Sequence, residues 1–164
     1  MSEIPAFDLL QSPLGVGTTL IEASAGTGKT YCLTGLILRL LLEEQVTGLD
    51  RVLAVTFTNA ATDELIARLR AGLAAAWSAV EGKTSGDSAI DKLVCRAGSR
   101  AAAILRAARA SVDDAVVFTI HGFCQRLIAE YAFETGVPFE LELLEDERAL
   151  LEEAIRDFWR ARFY

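Results

Sequence analysis

The sequence predicts an α/β fold built on a parallel sheet. Two runs of β-favouring residues, 51–57 and 115–120, are each followed by a helical pattern, and a shorter β-rich run lies at 18–22. Alternation of strands and helices is typical of parallel sheets with right-handed crossovers. With 52% hydrophobic residues, the 164-residue chain has enough apolar side chains for one folded domain.

The first strand-to-helix unit runs from residues 18–22 through a glycine-rich loop into an apolar helical stripe at 33–41. The apolar run 33–42 is too short to span a membrane and is divided by Arg39. An acid stands near the amino terminus, where a secretory signal needs positive charge. We therefore expect no membrane association and a cytoplasmic location.

The second unit begins at strand 51–57, which is apolar nearly throughout, as a strand buried on both faces would be. Its helix is predicted to open at Asn59, a good N-cap, and to end before the polar stretch 81–88. Ser88 and Asp91 resemble a capping box. After them, one continuous helical face predicts an excursion from the sheet; it comprises Ile90, Leu93, Val94, Ala97, Ala101, Ile104, Leu105 and Ala108.

The third unit is strand 115–120, followed by a helix that contains His121. Beyond Gly136 and Pro138 the pattern changes to an amphipathic helix over 144–163, and its apolar side comprises Leu151, Ile155, Phe158 and Trp159.

The composition limits the possible partners. There are 16 Lys and Arg against 23 Asp and Glu, a net charge of -7, which argues against coating nucleic acid or an anionic membrane with the whole surface. This charge balance still allows a local basic or polar groove.

Cys32, Cys95 and Cys124 are odd in number and far apart, so we expect neither disulfides nor zinc, and we predict that they are reduced packing residues.

The loop at 23–30 predicts a phosphate site. Two glycines, Gly26 and Gly28, let successive backbone N–H groups point at one anion, Lys29 reaches the β and γ phosphates, and the Thr30 hydroxyl completes the coordination of Mg²⁺. Ala23 stands where the strict GxxxxGK[ST] pattern has glycine, which is tolerable if its φ is negative. ATP and Mg²⁺ are thus the predicted cofactors, and the predicted binding residues are Ala23, Ser24, Ala25, Gly26, Thr27, Gly28, Lys29 and Thr30.

Unusual residues also follow the other two strands, and ligands of parallel α/β sheets lie at the carboxyl ends of strands. Short hydrogen-bonding groups and flat rings there suit a nucleic-acid single strand; they are Thr56, Phe57, Thr58, Asn59, His121 and Phe123. The alternative is structural: Asn59 only caps its helix, the two phenylalanines are core residues, and a lone histidine is hydrogen-bonded. The residues alone leave both interpretations open.

Three segments in order, 20–30, 55–65 and 116–127, resemble the first three motifs of UvrD/Rep-type superfamily 1 DNA helicases. Within that family the sequence is most similar to the RecB-type helicase-nucleases, the beta chains of exodeoxyribonuclease V. The resemblance implies a P-loop NTPase (RecA-like) parallel sheet, partial here, with helical insertions and a C-terminal helical segment. Residues 1–136 would then be the first half of the N-terminal motor domain, and 137–164 the truncated start of an inserted helical subdomain.

The same resemblance implies an ATP-driven motor that moves 3′ to 5′ on single-stranded DNA, in double-strand break repair and recombination. Its partners would be DNA ends and the gamma and alpha subunits of a helicase-nuclease complex. Lys29 and Thr30 would bind triphosphate and Mg²⁺, while Phe57, Thr58, Asn59 and His121 would touch the DNA strand.

Several parts of such a motor are not recognisable in the sequence. Gln11, in a poorly matching context, is the one candidate for reading adenine, and the acidic stretch 143–147 is better explained as the solvated start of a helix than as the Mg²⁺-binding acidic pair. Neither γ-phosphate arginines nor a nuclease carboxylate cluster is evident. We therefore expect a fragment of a longer protein that has no catalytic residue of its own and does not hydrolyse ATP alone. The alternatives are a small P-loop kinase and a nucleotide-dependent binding module.

Overall fold

A computed structural model describes residues 6–14, 17–24, 26–136 and 146–163. The chain divides into two compact units, Met1–Phe123 and Cys124–Tyr164. The helices and strands are, in order, α1 Lys29–Leu42, β1 Leu53–Thr56, α2 Asn59–Val80, α3 Ser88–Ala97, α4 Ala101–Ala110, β2 Val116–Thr119, α5 Ile120–Glu130, α6 Ala132–Thr135 and α7 Arg148–Phe163.

The predicted parallel pairing is present. β1 and β2 pair in parallel from Leu53 opposite Val116 to Thr56 opposite Thr119, and α2, α3 and α4 form the connection between them. The predicted strand at 18–22 is wrong: these residues form no strand, and Leu20 is 81% exposed. The expectation that the second run is buried on both faces is also wrong, because Leu53 and Val55 are 47% and 44% exposed.

The core of the first unit is helical. Large apolar side chains from α1, α2, α3 and α4 meet there and are nearly inaccessible to solvent. The helices approach closely at Gly72, where a Cβ would lie 3.1 Å from Leu38 Cδ1. The apolar spacing in the sequence therefore found the core-facing sides of α3 and α4, whereas Leu33 of the stripe predicted for α1 is 49% exposed.

Three helix boundaries differ from the predictions. Thr58, not Asn59, caps α2, since its hydroxyl accepts a hydrogen bond from Ala61 N at 3.2 Å. Asp87, not Ser88, caps α3 and accepts from Ala89 N at 2.8 Å. The predicted continuous helix over 90–108 is interrupted at Gly98, whose φ of 59° and ψ of -133° are not helical. Both halves nevertheless pack on the same core.

The second unit contains α6 and α7. The apolar residues predicted for one side of α7 are there but exposed, from Trp159 at 56% to Phe158 at 63%. Asp146 and Glu147 precede this helix and are exposed, and Asp146 Oδ1 accepts from Arg148 N at 3.0 Å, as expected for a solvated helix start. Residues 143–145 of that acidic stretch lie outside the described residues, and the inserted subdomain at 137–164 stays a prediction.

The three cysteines are free, as predicted, but Cys95 and Cys124 are exposed and so are not packing residues. Of the helices that the structure describes, none combines the length and the apolar character that crossing a membrane requires.

Candidate nucleotide and nucleic-acid site

The glycine-rich loop has the backbone that the sequence predicts at its two glycines. Gly26 has φ of 78° and Gly28 has φ of 86°, both in the region that favours glycine. A Cβ at Gly26 would meet no atom within 4 Å, so the conformation and not a lack of space selects glycine there. Thr27 Oγ1 donates to Ser24 O at 2.7 Å across the loop. Ala25 lies outside the described residues.

Lys29 is held by the loop itself. Its ammonium donates to Ala23 O at 3.0 Å and to Ser24 O at 2.6 Å. A lysine ammonium has three N–H donors, so two hold the side chain over the loop and the third is left for a ligand. The side chain is exposed, and its charge is therefore accessible to a phosphate.

The amino terminus of α1 has no side-chain cap. The N-cap residue is Gly28, which has no side chain to accept from the first turn, and that turn contains no acidic residue. The side chains of Thr58 and Asp87 cap α2 and α3, in contrast. The unpaired N–H groups of a first helical turn carry partial positive charge, so this end of α1 is suited to an anion.

Thr30 is in the first turn of α1 and is partly buried. Its backbone carbonyl accepts from Thr34 Oγ1 at 2.9 Å, whereas its own hydroxyl has no hydrogen bond among the residues described. The loop therefore fits a phosphate chain, with Lys29 and the α1 N–H groups to bind oxygens and the Thr30 hydroxyl available to Mg²⁺. Within the described part of the chain, no group of three or more His, Cys, Asp or Glu residues could hold a metal by itself.

The two other predicted segments lie side by side. Because Thr56 is opposite Thr119 in the parallel register, both strands end at the same edge of the sheet. The strand-to-helix turns are alike: Thr58 Oγ1 accepts from Ala61 N at 3.2 Å, and Thr119 Oγ1 accepts from Gly122 N at 3.1 Å. The structure thus brings the 57–59 and 121–123 segments to one edge, as the sequence predicts.

The side chains at this edge differ in availability. Phe57 is 87% exposed, so it is not a core residue of the described chain, and His121 and Asn59 are exposed as well. Phe123 is partly buried. Thr56 is less available than predicted, because its hydroxyl is 2.6 Å from the Thr62 hydroxyl.

Sequence reasoning missed two polar links to α1. Partial burial and the neighbouring Asp87 carboxylate raise the pKa of Tyr31 to about 12, so the first turn of α1 is coupled electrostatically to the cap of α3. Arg39, noted in the sequence only as an interruption of an apolar run, is almost buried and bonds to residues near the amino terminus. A charge within an apolar helical stripe was the signal for the second link.

Comparison with known proteins identifies the protein family. Residues 10–162 match the UvrD/REP helicase N-terminal domain. The chain therefore belongs to the UvrD/REP helicase family.

Sequence identity to individual relatives is more specific than the family match. The chain is 41% identical over 174 residues to the RecBCD enzyme subunit RecB of Escherichia coli K12, a match that covers 100% of this chain and 15% of the relative. It is 39% identical to the RecB subunit of Haemophilus influenzae, over 89% of this chain and 13% of the relative. It is 35% identical to the RecB subunit of Mycolicibacterium smegmatis, over 96% of this chain and 15% of the relative. The chain thus spans about a seventh of the length of these relatives.

Proposed function

We propose that this chain is the amino-terminal, nucleotide-binding part of an ATP-dependent DNA motor of the RecB type. The P-loop at residues 23–30 binds ATP with Mg²⁺, and the strand-end edge with Phe57, Thr58, Asn59, His121 and Phe123 binds single-stranded DNA. Hydrolysis then drives movement along the strand, 3′ to 5′, in double-strand break repair and recombination. RecBCD-type partner subunits, an associated nuclease and a cytoplasmic location belong to the same proposal.

One observation carries the nucleotide part: a helix without a side-chain cap begins at a glycine-rich loop whose carbonyls hold Lys29 in place. An exposed first turn and a positioned ammonium together favour a phosphate chain. The DNA part is supported by the exposed rings of Phe57 and His121, which follow two strands that end at the same edge of the sheet. Flat exposed rings bind bases of any sequence by stacking.

Family membership favours the motor over the small P-loop kinase, because residues 10–162 match a helicase domain. A binding module without turnover is the second alternative. Hydrolysis needs Mg²⁺ held by an acid, an aimed water and positive charge on the γ phosphate. The described residues supply the loop, one lysine and the Thr30 hydroxyl, so we propose that residues 1–164 alone bind ATP without turning it over.

The test is phosphate release from ATP with Mg²⁺ by the full-length protein, with and without saturating oligonucleotide. We expect DNA-stimulated release that Lys29→Ala abolishes. The isolated 1–164 fragment is the parallel sample, and it should stay near background because arginine fingers alone contribute about 10³ to 10⁵ in rate. Full-length protein that binds ATP but shows no DNA-stimulated release would support the binding module instead, and robust transfer to small acceptors would support the kinase.

A further inference from the structure

Most arginines of the first unit are paired with an acid. The arginines that lie within 3.7 Å of an Asp or Glu carboxylate oxygen are Arg39, Arg51, Arg68, Arg70, Arg96 and Arg100. The two others in this unit, Arg106 and Arg109 of α4, form no ion pair with any residue that the structure describes. Acidic residues outnumber Lys and Arg in the chain, so a shortage of carboxylates does not explain the difference. We call these two residues the arginine pair.

The arginine pair lies over one aromatic ring. The guanidinium carbons of Arg106 and Arg109 are 5.8 Å and 5.3 Å from the centre of the Trp77 ring of α2. Distances below about 6 Å are typical of cation–π contacts. Residues three positions apart share one face of a helix, so a single ring orients both guanidinium groups, and both side chains are exposed to solvent. The fold therefore presents two neighbouring guanidinium groups in a defined place.

The neighbouring carboxylate, Glu81, is already occupied. Its Oε2 accepts from Lys83 Nζ at 2.9 Å, and its Oε1 accepts from Trp77 Nε1 at 2.8 Å. The hydrogen bonds from Lys83 and Trp77 lower the pKa of Glu81, and the charge of Arg109 adds a smaller contribution. Three cations thus surround one carboxylate, and this part of an acidic chain is locally positive.

The side chains here suit a phosphate backbone better than a base. The planar N–H fork of arginine matches phosphate oxygens. The Trp77 ring packs on the helical core and lies beneath two guanidinium groups, so it is not free to stack on a base. Phe57 at the strand-end edge is 87% exposed, in contrast. In duplex DNA the bases stack on one another and the charged backbone is accessible, so a duplex suits a site that offers guanidinium groups without a free ring.

Helix α2 connects the arginine pair to the strand-end edge. Its N-cap, Thr58, is at that edge, and Trp77 follows Asn59 by 18 residues. At 1.5 Å per residue, these positions are about 27 Å apart along the helix. About eight base pairs of duplex have the same length. A duplex that continues from a single strand at the edge is therefore long enough to reach the arginine pair.

We propose that the arginine pair is a second DNA contact, which binds the phosphate backbone of a duplex continuous with the single strand at the strand-end edge. Trp77 is the positioning residue that holds the two guanidinium groups together. The proposal rests on the proposed binding of single-stranded DNA at the edge. It divides the DNA into two parts: exposed rings at the edge bind single-stranded bases, and the arginine pair binds duplex phosphates without reading their sequence.

The experiment measures DNA binding by the full-length protein through fluorescence anisotropy, without nucleotide so that no unwinding occurs. One probe is a DNA hairpin with a single-stranded tail, and the other is the tail alone. Each phosphate contact contributes about 0.9 to the slope of log affinity against log salt concentration. Arg106→Gln/Arg109→Gln should therefore make the slope for the tailed hairpin shallower by about 1.8. Its loss of affinity should then shrink about tenfold between about 50 and 200 mM salt, and binding of the tail should not change.

The matched control is Arg68→Gln/Arg70→Gln, which removes the same charge from α2. Both of these arginines are about half exposed, and each is paired with an acid, Glu64 or Asp113. This variant should leave the slope for the tailed hairpin nearly unchanged. An equal change in both double variants would overturn the proposal, because the effect would then come from net charge and not from a contact.

Arg106→Lys/Arg109→Lys keeps both charges and should retain most of the slope, since lysine also binds phosphate. A slope as shallow as that of the Gln variant would contradict the proposal. An unchanged slope in the Gln variant would overturn it and favour an acidic segment of a partner protein as the occupant. An equal loss for the tail alone would also overturn it, because the contact would then be with single-stranded DNA. Wild-type protein that binds neither probe would instead contradict the proposed DNA function itself.

Discussion

Gly26→Ala tests whether the P-loop must adopt its left-handed backbone in order to bind. Gly26 has φ of 78°, and an added Cβ would meet no atom within 4 Å, so sterics within the loop contribute nothing. The cost is the conformation itself, about 1–2 kcal/mol for an L-residue. If the nucleotide-bound loop requires that φ, this cost divides between a loss of stability in the free protein and a loss of affinity.

The loop is exposed, so the free variant can relax and most of the cost should appear in binding. About 1–2 kcal/mol corresponds to about a 5- to 30-fold weaker affinity for Mg²⁺-ADP by calorimetry. Gly82→Ala is the matched control, with the same φ of 78° and equally open space, in the turn after α2. Both variants restrict the unfolded chain alike, so comparing them removes that contribution. Gly82→Ala should leave affinity unchanged; if Gly26→Ala matches it in both affinity and melting temperature, the reasoning is refuted.

Two further predictions concern the strand-end edge. Phe57→Ala or His121→Ala in the full-length protein should weaken single-strand binding by about 1–3 kcal/mol per lost stack, for any base sequence. Phe57 is 87% exposed, so the melting temperature of the Phe57→Ala variant should hardly change. Unchanged DNA affinity of these variants by fluorescence anisotropy would contradict the stacking role. Thr58→Ala should destabilise the protein by about 1 kcal/mol in denaturant titration because α2 loses its cap, whereas Thr58→Ser should retain the cap and most of the stability. Equal stability of the Ala and Ser variants would contradict the capping role.

The sequence predicted the parallel pairing, the core-facing sides of α3 and α4 and the juxtaposition of two strand ends, because each follows from strands and helices that local patterns mark. Apolar spacing selected the faces of α3 and α4, although it passed over the interruption at Gly98. Apolar periodicity does not reveal such a break when the helices before and after it pack on one core. The N-caps of α2 and α3 lie one residue before the predicted positions. Thr58 and Asn59 are both good N-caps, and only the backbone geometry decides between them.

The prediction of a strand at 18–22 failed for a different reason. β propensity describes how well a side chain fits a sheet, and a strand forms only with a neighbour to accept its hydrogen bonds. In the described chain the sheet joins only β1 and β2, and residues 18–22 pair with neither. The Arg39 contacts could not be predicted either, because they join residues 30 and 27 positions apart in sequence. The interruption of an apolar stripe pointed to the residue but not to its partners.

The central claim is that the loop at 23–30 binds the phosphates of a nucleotide, and it is tested most directly by calorimetry of Mg²⁺-ADP binding to Lys29→Ala. Removing a charge-assisted contact should cost about 1.5–3 kcal/mol, which is about a 10- to 150-fold loss of affinity. Stability should hardly change, because Lys29 is exposed and the Ala23 and Ser24 carbonyls can bond to water instead. Lys92→Ala, which removes an exposed lysine from α3, controls for net charge and should bind like the wild type. Equal affinity of the Lys29→Ala and wild-type proteins for Mg²⁺-ADP would contradict the account.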